Sequence, residues 1–225
     1  MKFKQTGFTL IEMSVVLVVI GIIIGGVSIG KDLQRNAVYQ KINATFVQGW
    51  ASNYQSFFSR QGVVVGDTPA APTLKVNGNT AERCSTNLHA DMDKAGIAMP
   101  SGRGEGNEHA FVYLDSNGNP QQVEVCFQNV TWSIPGATSG YVTRPKNVMV
   151  LKGLTPDLAT LLDSTIDGVT DARFGYFRES TQANSTATAS VVWSVDNRMA
   201  HGSTQATNRD ENQVTVVTGY YLMAQ

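Results

Sequence analysis

Between residues 8 and 30 the chain carries a single formally charged side chain, Glu12, and its first proline is Pro69. Nothing in that stretch interrupts a helix, and its length suffices to cross a bilayer with some tilt. A carboxylate there costs about 2 to 3 kcal/mol on insertion scales, less near a helix end, so Glu12 implies a purpose. A small-x-small cleavage site is also lacking. No Ala-x-Ala occurs between residues 20 and 39, and Gly26-Val27-Ser28 is the nearest imitation. An ordinary secretory signal, with an apolar core of about 7–15 residues, is therefore a poor fit. A plain signal anchor, its N-terminus held in the cytoplasm by Lys2 and Lys4, fits better but leaves Glu12 and the Gly7-Phe8 junction unexplained.

Other scarcities narrow the function. With 17 basic and 18 acidic residues there is no bulk positive field for nucleic acid. Enzyme motifs are missing. Gly136-Ala137-Thr138-Ser139-Gly140 places its serine one residue off a nucleophile elbow. Gly102-Arg103-Gly104-Glu105-Gly106 lacks the third glycine and the flanks of a dinucleotide site. His89, His109 and His201 form no HExxH and read as loop or surface residues. No catalytic residue, cofactor or metal is implied. The chain has 2 cysteines, Cys84 and Cys126, both beyond the apolar run and so carried out of the reducing cytosol. One intramolecular pairing is possible, closing a loop of roughly 42 residues for about 4 kcal/mol in the chain-entropy model. A zinc site with His89 and His109 is the rival, but the spacings fit none of the usual short ligand patterns.

What is present at the start is Met1-Lys2-Phe3-Lys4-Gln5-Thr6-Gly7 followed by Phe8-Thr9-Leu10-Ile11-Glu12-Met13. It resembles the class III signal of type IV pilins and type II secretion pseudopilins. The resemblance covers about the first 30 residues. It implies cleavage between Gly7 and Phe8 by a membrane peptidase, methylation of Phe8, and a role for Glu12 in filament assembly. The implied partners are like subunits and other pilins, prepilin peptidase, an inner-membrane assembly platform, and lipid before assembly. The implied location is the bacterial inner membrane as a single-pass precursor, then a periplasmic or cell-surface filament. A rival account of Glu12 is that it caps its own helix, favoured by the dipole. Major pilins usually carry a proline near the position of Ile29. Here Gly21, Gly25, Gly26 and Gly30 stand instead, which questions major-pilin status and keeps a pseudopilin open. A membrane-anchored binding domain is a further alternative.

Beyond the apolar run, Leu33, Ala37, Val38, Ile42, Phe46, Val47, Trp50, Tyr54, Phe57 and Phe58 recur at spacings of three and four. They predict one continuous amphipathic helix over 8–60, about 80 Å long, with Gly62 as a left-handed cap. Residues 61–82 read as a linker or loose wrap. Ala110 to Leu114 and Gln122 to Phe127 predict a hairpin around Asn117-Gly118. Asp115, Asn117 and Asn119 imitate a calcium loop, but the glycine and acid offsets favour the turn. Further strands are predicted near 148–151, 174–178, 191–195 and 214–223. A helix opened by Thr155-Pro156-Asp157 and ended by Gly168 lies among them. The expected fold is α+β: a long N-terminal helix, membrane-spanning over about 8–30, packed on an antiparallel β-sheet head at 83–225, with 1–7 a leader.

Asp163, Asp167 and Asp171 gather near the negative end of that helix. Solvated or arginine-paired aspartates are the default expectation, with Arg173 and Arg178 as partners and calcium as the alternative. The run from Leu161 to Gly168 and on through Phe174-Gly175-Tyr176-Phe177-Arg178 is similar to a C-terminal pattern of pilin-like proteins.

Overall fold

The computed structural model describes residues 9–194 and 216–224, with the side chains of all but 28 and 29. The Gly7-Phe8 junction and His201 lie outside the described residues.

Residues 10–61 are helical throughout, as α1 (Leu10–Lys41), a π-helical stretch (Ile42–Val47) and α2 (Gln48–Gln61). Gly62 ends the run in the left-handed region at φ 73°, its amide bonded to the Phe58 carbonyl, as the sequence predicts. The π-helical stretch carries no signal in the sequence; in it the Gln48 amide reaches the carbonyl of Asn43, five residues back. Ile42, Phe46, Val47, Trp50, Tyr54 and Phe57 of the predicted stripe are buried. Its earlier members Leu33 and Ala37 are exposed, so burial begins later than the periodicity suggests.

The chain divides into two compact units, residues 1–40 and 41–225. In the first, α1 exposes its apolar side chains between Leu10 and Val27. In the second, aromatic contacts join α2 and the π-helical stretch to a sheet. Tyr54 stacks on Phe127 with ring centroids 5.0 Å apart, and Phe46 meets Phe111 at 5.6 Å. Burying each such ring stabilises by about 2 kcal/mol. Asn53 donates to the Ala98 carbonyl and Arg60 to those of Ala95 and Gly96, tying α2 to the chain that follows. Residues 62–82 are mostly irregular yet bury Val63, Val64, Val65 and Val76. Asp67 organises them by accepting the amides of Thr68, Thr73 and Leu74. Asn147 fastens them to the sheet, accepting from the Val76 amide and donating to the Leu74 carbonyl.

Among the described residues the sheet has six strands, β1 (Arg83–Cys84), β2 (Ala110–Leu114), β3 (Pro120–Pro135), β4 (Tyr141–Leu154), β5 (Phe177–Glu179) and β6 (Val217–Leu222), in the order β1-β3-β4-β6-β5. Every pairing is antiparallel, and β2 pairs with β3 beyond the stretch that β1 occupies. The architecture is α+β and pilin-like. The hairpin at Asn117-Gly118 forms as predicted, with Gly118 at φ 84° and the Asp115 carboxylate accepting the amides of Asn117 and Asn119. The glycine-rich run 136–140 is the turn of a second hairpin, in which the Gly136 amide meets the Gly140 carbonyl at 2.8 Å. Two predicted strands need correction. The one at 174–178 forms at Phe177–Glu179, because the amides just before it are taken by aspartates. Residues 191–194 form no strand and are held by side chains instead. A short helix, α3 (Ser85–Lys94), was not predicted.

α4 (Pro156–Asp167) begins and ends on the predicted residues: Thr155 caps it through the Leu158 amide, and Gly168 closes it at φ 79°. Just before it, β4 shifts register against β6 between Leu151 and Leu154. Gly153 sits in this irregularity at φ 78°, and a Cβ there would run into the Gln122 carbonyl oxygen. Tyr113 braces the same place, donating to the Gly153 carbonyl and accepting from the Thr155 amide. Gly153→Ala combines left-handed strain with overpacking, and is expected to cost on the order of 3 kcal/mol. Chemical denaturation of the variant should show a lower midpoint at unchanged slope.

Candidate functional site

The N-terminal end of α1 is built around Thr9 and Glu12. The Thr9 amide and hydroxyl both donate to Glu12 Oε2, at 2.6 and 2.8 Å, and the Glu12 amide donates back to Thr9 Oγ1 at 3.3 Å. This is a reciprocal capping box, Thr-x-x-Glu, which satisfies donors that a helix start otherwise leaves bare. The spacing was legible in the sequence, directly before an apolar run. The capping account of Glu12 therefore has a geometric basis, and the carboxylate is oriented as well as charged. Around it, Leu10, Ile11, Val15, Leu17, Ile22 and Ile24 are exposed, a surface whose contact with water is costly and which lipid or packed helices would cover. Among the described residues, this helix alone is long and apolar enough to cross a membrane.

The structure joins Cys84 and Cys126 in a disulfide. They face each other directly across β1 and β3 with Cα atoms 4.4 Å apart, the spacing of a non-hydrogen-bonded antiparallel pair. Cys126 packs with Trp132, Val148, Val150 and Ala183. Beside the bridge, Glu82 and Lys152 form an ion pair. Among the described residues only Glu82, Cys84 and Cys126 bring three ligand-type atoms within metal reach, and the bridge uses both sulfurs.

Two of the histidines are not surface residues. His89 and His109 are buried, and His89 Nε2 lies 3.1 Å from His109 Nδ1. One ring donates and the other accepts, so the pair bonds when at least one ring is neutral. Trp50 stacks on His89, and Glu108 Oε2 lies 3.7 Å from His89 Nδ1. Burial, and then His89, hold the His109 imidazole below its ordinary value. The sequence could not bring these rings together, since they come from α3 and from the residue just before β2.

The aspartates near the end of α4 spend their carboxylates chiefly on backbone amides; Asp163 is buried, while Asp167 and Asp171 stay half-buried. Asp163 has no exposed surface. Asp167 accepts the amides of Tyr176 and Phe177, each at 2.9 Å. Asp171 accepts those of Arg173, Phe174 and Val191. Arg178 lies instead over the Trp132 ring at 4.2 Å and donates to the carbonyl and hydroxyl of Ser133. Burial pushes its guanidinium down to about 10.

With this geometry in view, one comparison bears on function. Residues 2–28 match the family model of the prokaryotic N-terminal methylation motif. This is the signal of type IV pilins and pseudopilins. The matched segment contains Gly7, Phe8, the Thr9–Glu12 box and most of the exposed apolar surface of α1. It stops short of the head. No curated protein and no solved structure matches the chain. The methylation motif thus accounts for the end of the molecule where the sequence has least charge, and it points to a structural subunit.

Proposed function

We propose that the chain is a type IV pilin-like structural subunit of a cell-envelope filament. The precursor lies in the inner membrane through α1. Prepilin peptidase cuts between Gly7 and Phe8, and Phe8 is methylated. The assembly platform then draws the chain into a filament with like subunits and other pilins. The helices form the filament's core, Glu12 of the incoming chain meets the terminal amine of a neighbour, and the disulfide-tied sheet faces outward. The observation that carries this reading is the methylation motif on residues 2–28, opening onto a capped helix with an uncovered apolar surface.

A pseudopilin of a type II secretion system is the second reading. The run from Gly21 to Gly30 without proline favours it as much as a pilus. Shearing cells that carry a tagged chain separates the two. A pilus subunit appears in the sheared fibre fraction, whereas a pseudopilin stays with the envelope and its deletion blocks export of secreted enzymes. A chain that never enters any filament in either system would reject both.

A further inference from the structure

Filament assembly as proposed makes no use of His89 and His109, although both rings are buried where three segments meet. His89 comes from α3, and His109 stands just before β2 with its carbonyl accepting the Val125 amide of β3. Trp50 of α2 covers the face of His89, its ring inclined by only 9°, and donates from Nε1 to the Glu108 carbonyl at 3.2 Å. The Glu108 carboxylate divides its oxygens. Oε1 accepts the Gly106 amide at 2.9 Å, whereas Oε2 is shut off from water, has no hydrogen-bond partner and lies 3.7 Å from His89 Nδ1.

The number of protons this arrangement can hold follows from the facing nitrogens. With both rings neutral, one N–H occupies the 3.1 Å line between His89 Nε2 and His109 Nδ1. One added proton fits. His89 then donates from Nε2 to the lone pair on His109 Nδ1 and turns its Nδ1–H towards the free Glu108 oxygen. A second proton does not fit. Both facing nitrogens become donors, the hydrogen bond is lost, and two cations stand together in a buried site.

The surrounding charges do not make room for it. Glu124 on β3, opposite Ala110, acts on His109 through space, but it accepts from the Gln122 amide group and has Lys152 as its cross-strand neighbour. On α3, Asp91 is engaged with Arg83 through two hydrogen bonds. From α2, Arg60 donates to the carbonyls of Ala95 and Gly96. Among the described residues no salt bridge reaches His109.

We propose that His89, His109 and Glu108 form an acid-sensing joint that holds one added proton and is broken by a second, so that acid weakens the seat of α3 against Trp50. The Arg83–Asp91 pair, buried Leu88 and Met92, and the neighbouring disulfide still hold α3, so acid loosens this contact without detaching the helix. Burial, and then His89, depress the His109 imidazole, outweighing Glu124 and Glu108, which favour its charge. The unfolded chain therefore takes up this proton before the folded chain does. The contribution to stability is complete above the ordinary histidine value and is lost as pH falls through the depressed one.

The test is thermal unfolding of the full chain in detergent at about pH 7.5 and about pH 5, comparing wild type with His109→Asn and Glu108→Gln. Asparagine places an amide where His109 Nδ1 stood and does not titrate. His109→Asn should lose several degrees less than wild type between the two pH values. Glu108→Gln keeps the Gly106 contact but removes the anion beside His89, and should lose more than wild type. Equal losses in wild type and His109→Asn would overturn the proposal, as would equal losses in wild type and Glu108→Gln. NMR titration of wild type labelled with ¹⁵N-histidine decides the matter even if the variants do not fold. The pair should charge in two separate steps, the later one at His109. Both rings charging together in one step at the ordinary histidine value would overturn the joint.

Discussion

Glu12→Gln is expected to be cut at Gly7, to remain in the membrane, and to be excluded from filaments made by wild-type subunits. The carboxylate has two tasks that the substitution separates. As the distal member of the Thr9–Glu12 box it accepts from the Thr9 amide and hydroxyl. Glutamine can replace it there, since Glu and Gln both serve in capping boxes. Glutamine cannot neutralise an amine. In the proposed mature chain Phe8 is the N-terminus, and its charge and that of Glu12 would both lie near a helix end, where each unpaired charge costs up to about 2 to 3 kcal/mol on insertion scales. In the proposed filament, pairing between neighbouring subunits would relieve both and fix the axial stagger that apolar contacts alone leave free to slide. Glu12→Ala should be excluded as well. Thr9→Val removes the cap and keeps the charge; it should lose about 1 kcal/mol of helix-end stability and still enter filaments. Normal incorporation of Glu12→Gln together with exclusion of Thr9→Val would assign the whole role to capping.

Removing the disulfide should produce the largest loss of stability in the head. The bridge closes a loop of 42 residues. In the chain-entropy model that constraint stabilises by about 4 kcal/mol, a large share of the roughly 5–15 kcal/mol that holds a domain together. The paired variant Cys84→Ser with Cys126→Ala suits the surroundings. Cys84 is half-buried, and Cys126 sits in the apolar cluster with Trp132 and Val150, where a hydroxyl would lack a partner. The melting temperature of the paired variant should fall by roughly 10 °C, a shift that follows from domain size. Unreduced wild-type protein should show no reactive thiol after denaturation. Equal melting with and without the bridge would mean that β1 and β3 are held by other contacts alone.

The features legible in the sequence are those fixed by local chemistry. Gly62 and Gly168 end their helices because each enters the left-handed region without steric cost, and Thr155-Pro156 opens α4 for equally local reasons. Asn117-Gly118 sets the first hairpin in the same way. What stayed hidden depends on residues distant in the chain. α3 begins at Ser85 without a side-chain cap, and only Leu88 and Met92 mark its buried apolar face, too little for a helical period. The segment 191–194 alternates like a strand, yet its Trp193 is held by Asp163 from 30 residues away. That same contact turns Asp163 from an apparent surface acid into a buried one. Likewise His89 and His109 look unremarkable one at a time and form a buried pair only when α3 packs against the sheet. At the other end of the chain, the capping box and the apolar run were both readable. The cover for that run is not, since among the described residues the apolar side chains from Leu10 to Val27 stay exposed.

The central claim is that this chain is processed and methylated as a filament subunit. Mass spectrometry of the protein recovered from the cells that make it tests this most directly. The account predicts a chain beginning at Phe8 and carrying one added N-terminal methyl group. A chain that still begins at Met1, with α1 in the membrane and no methyl group on any N-terminal peptide, would contradict it.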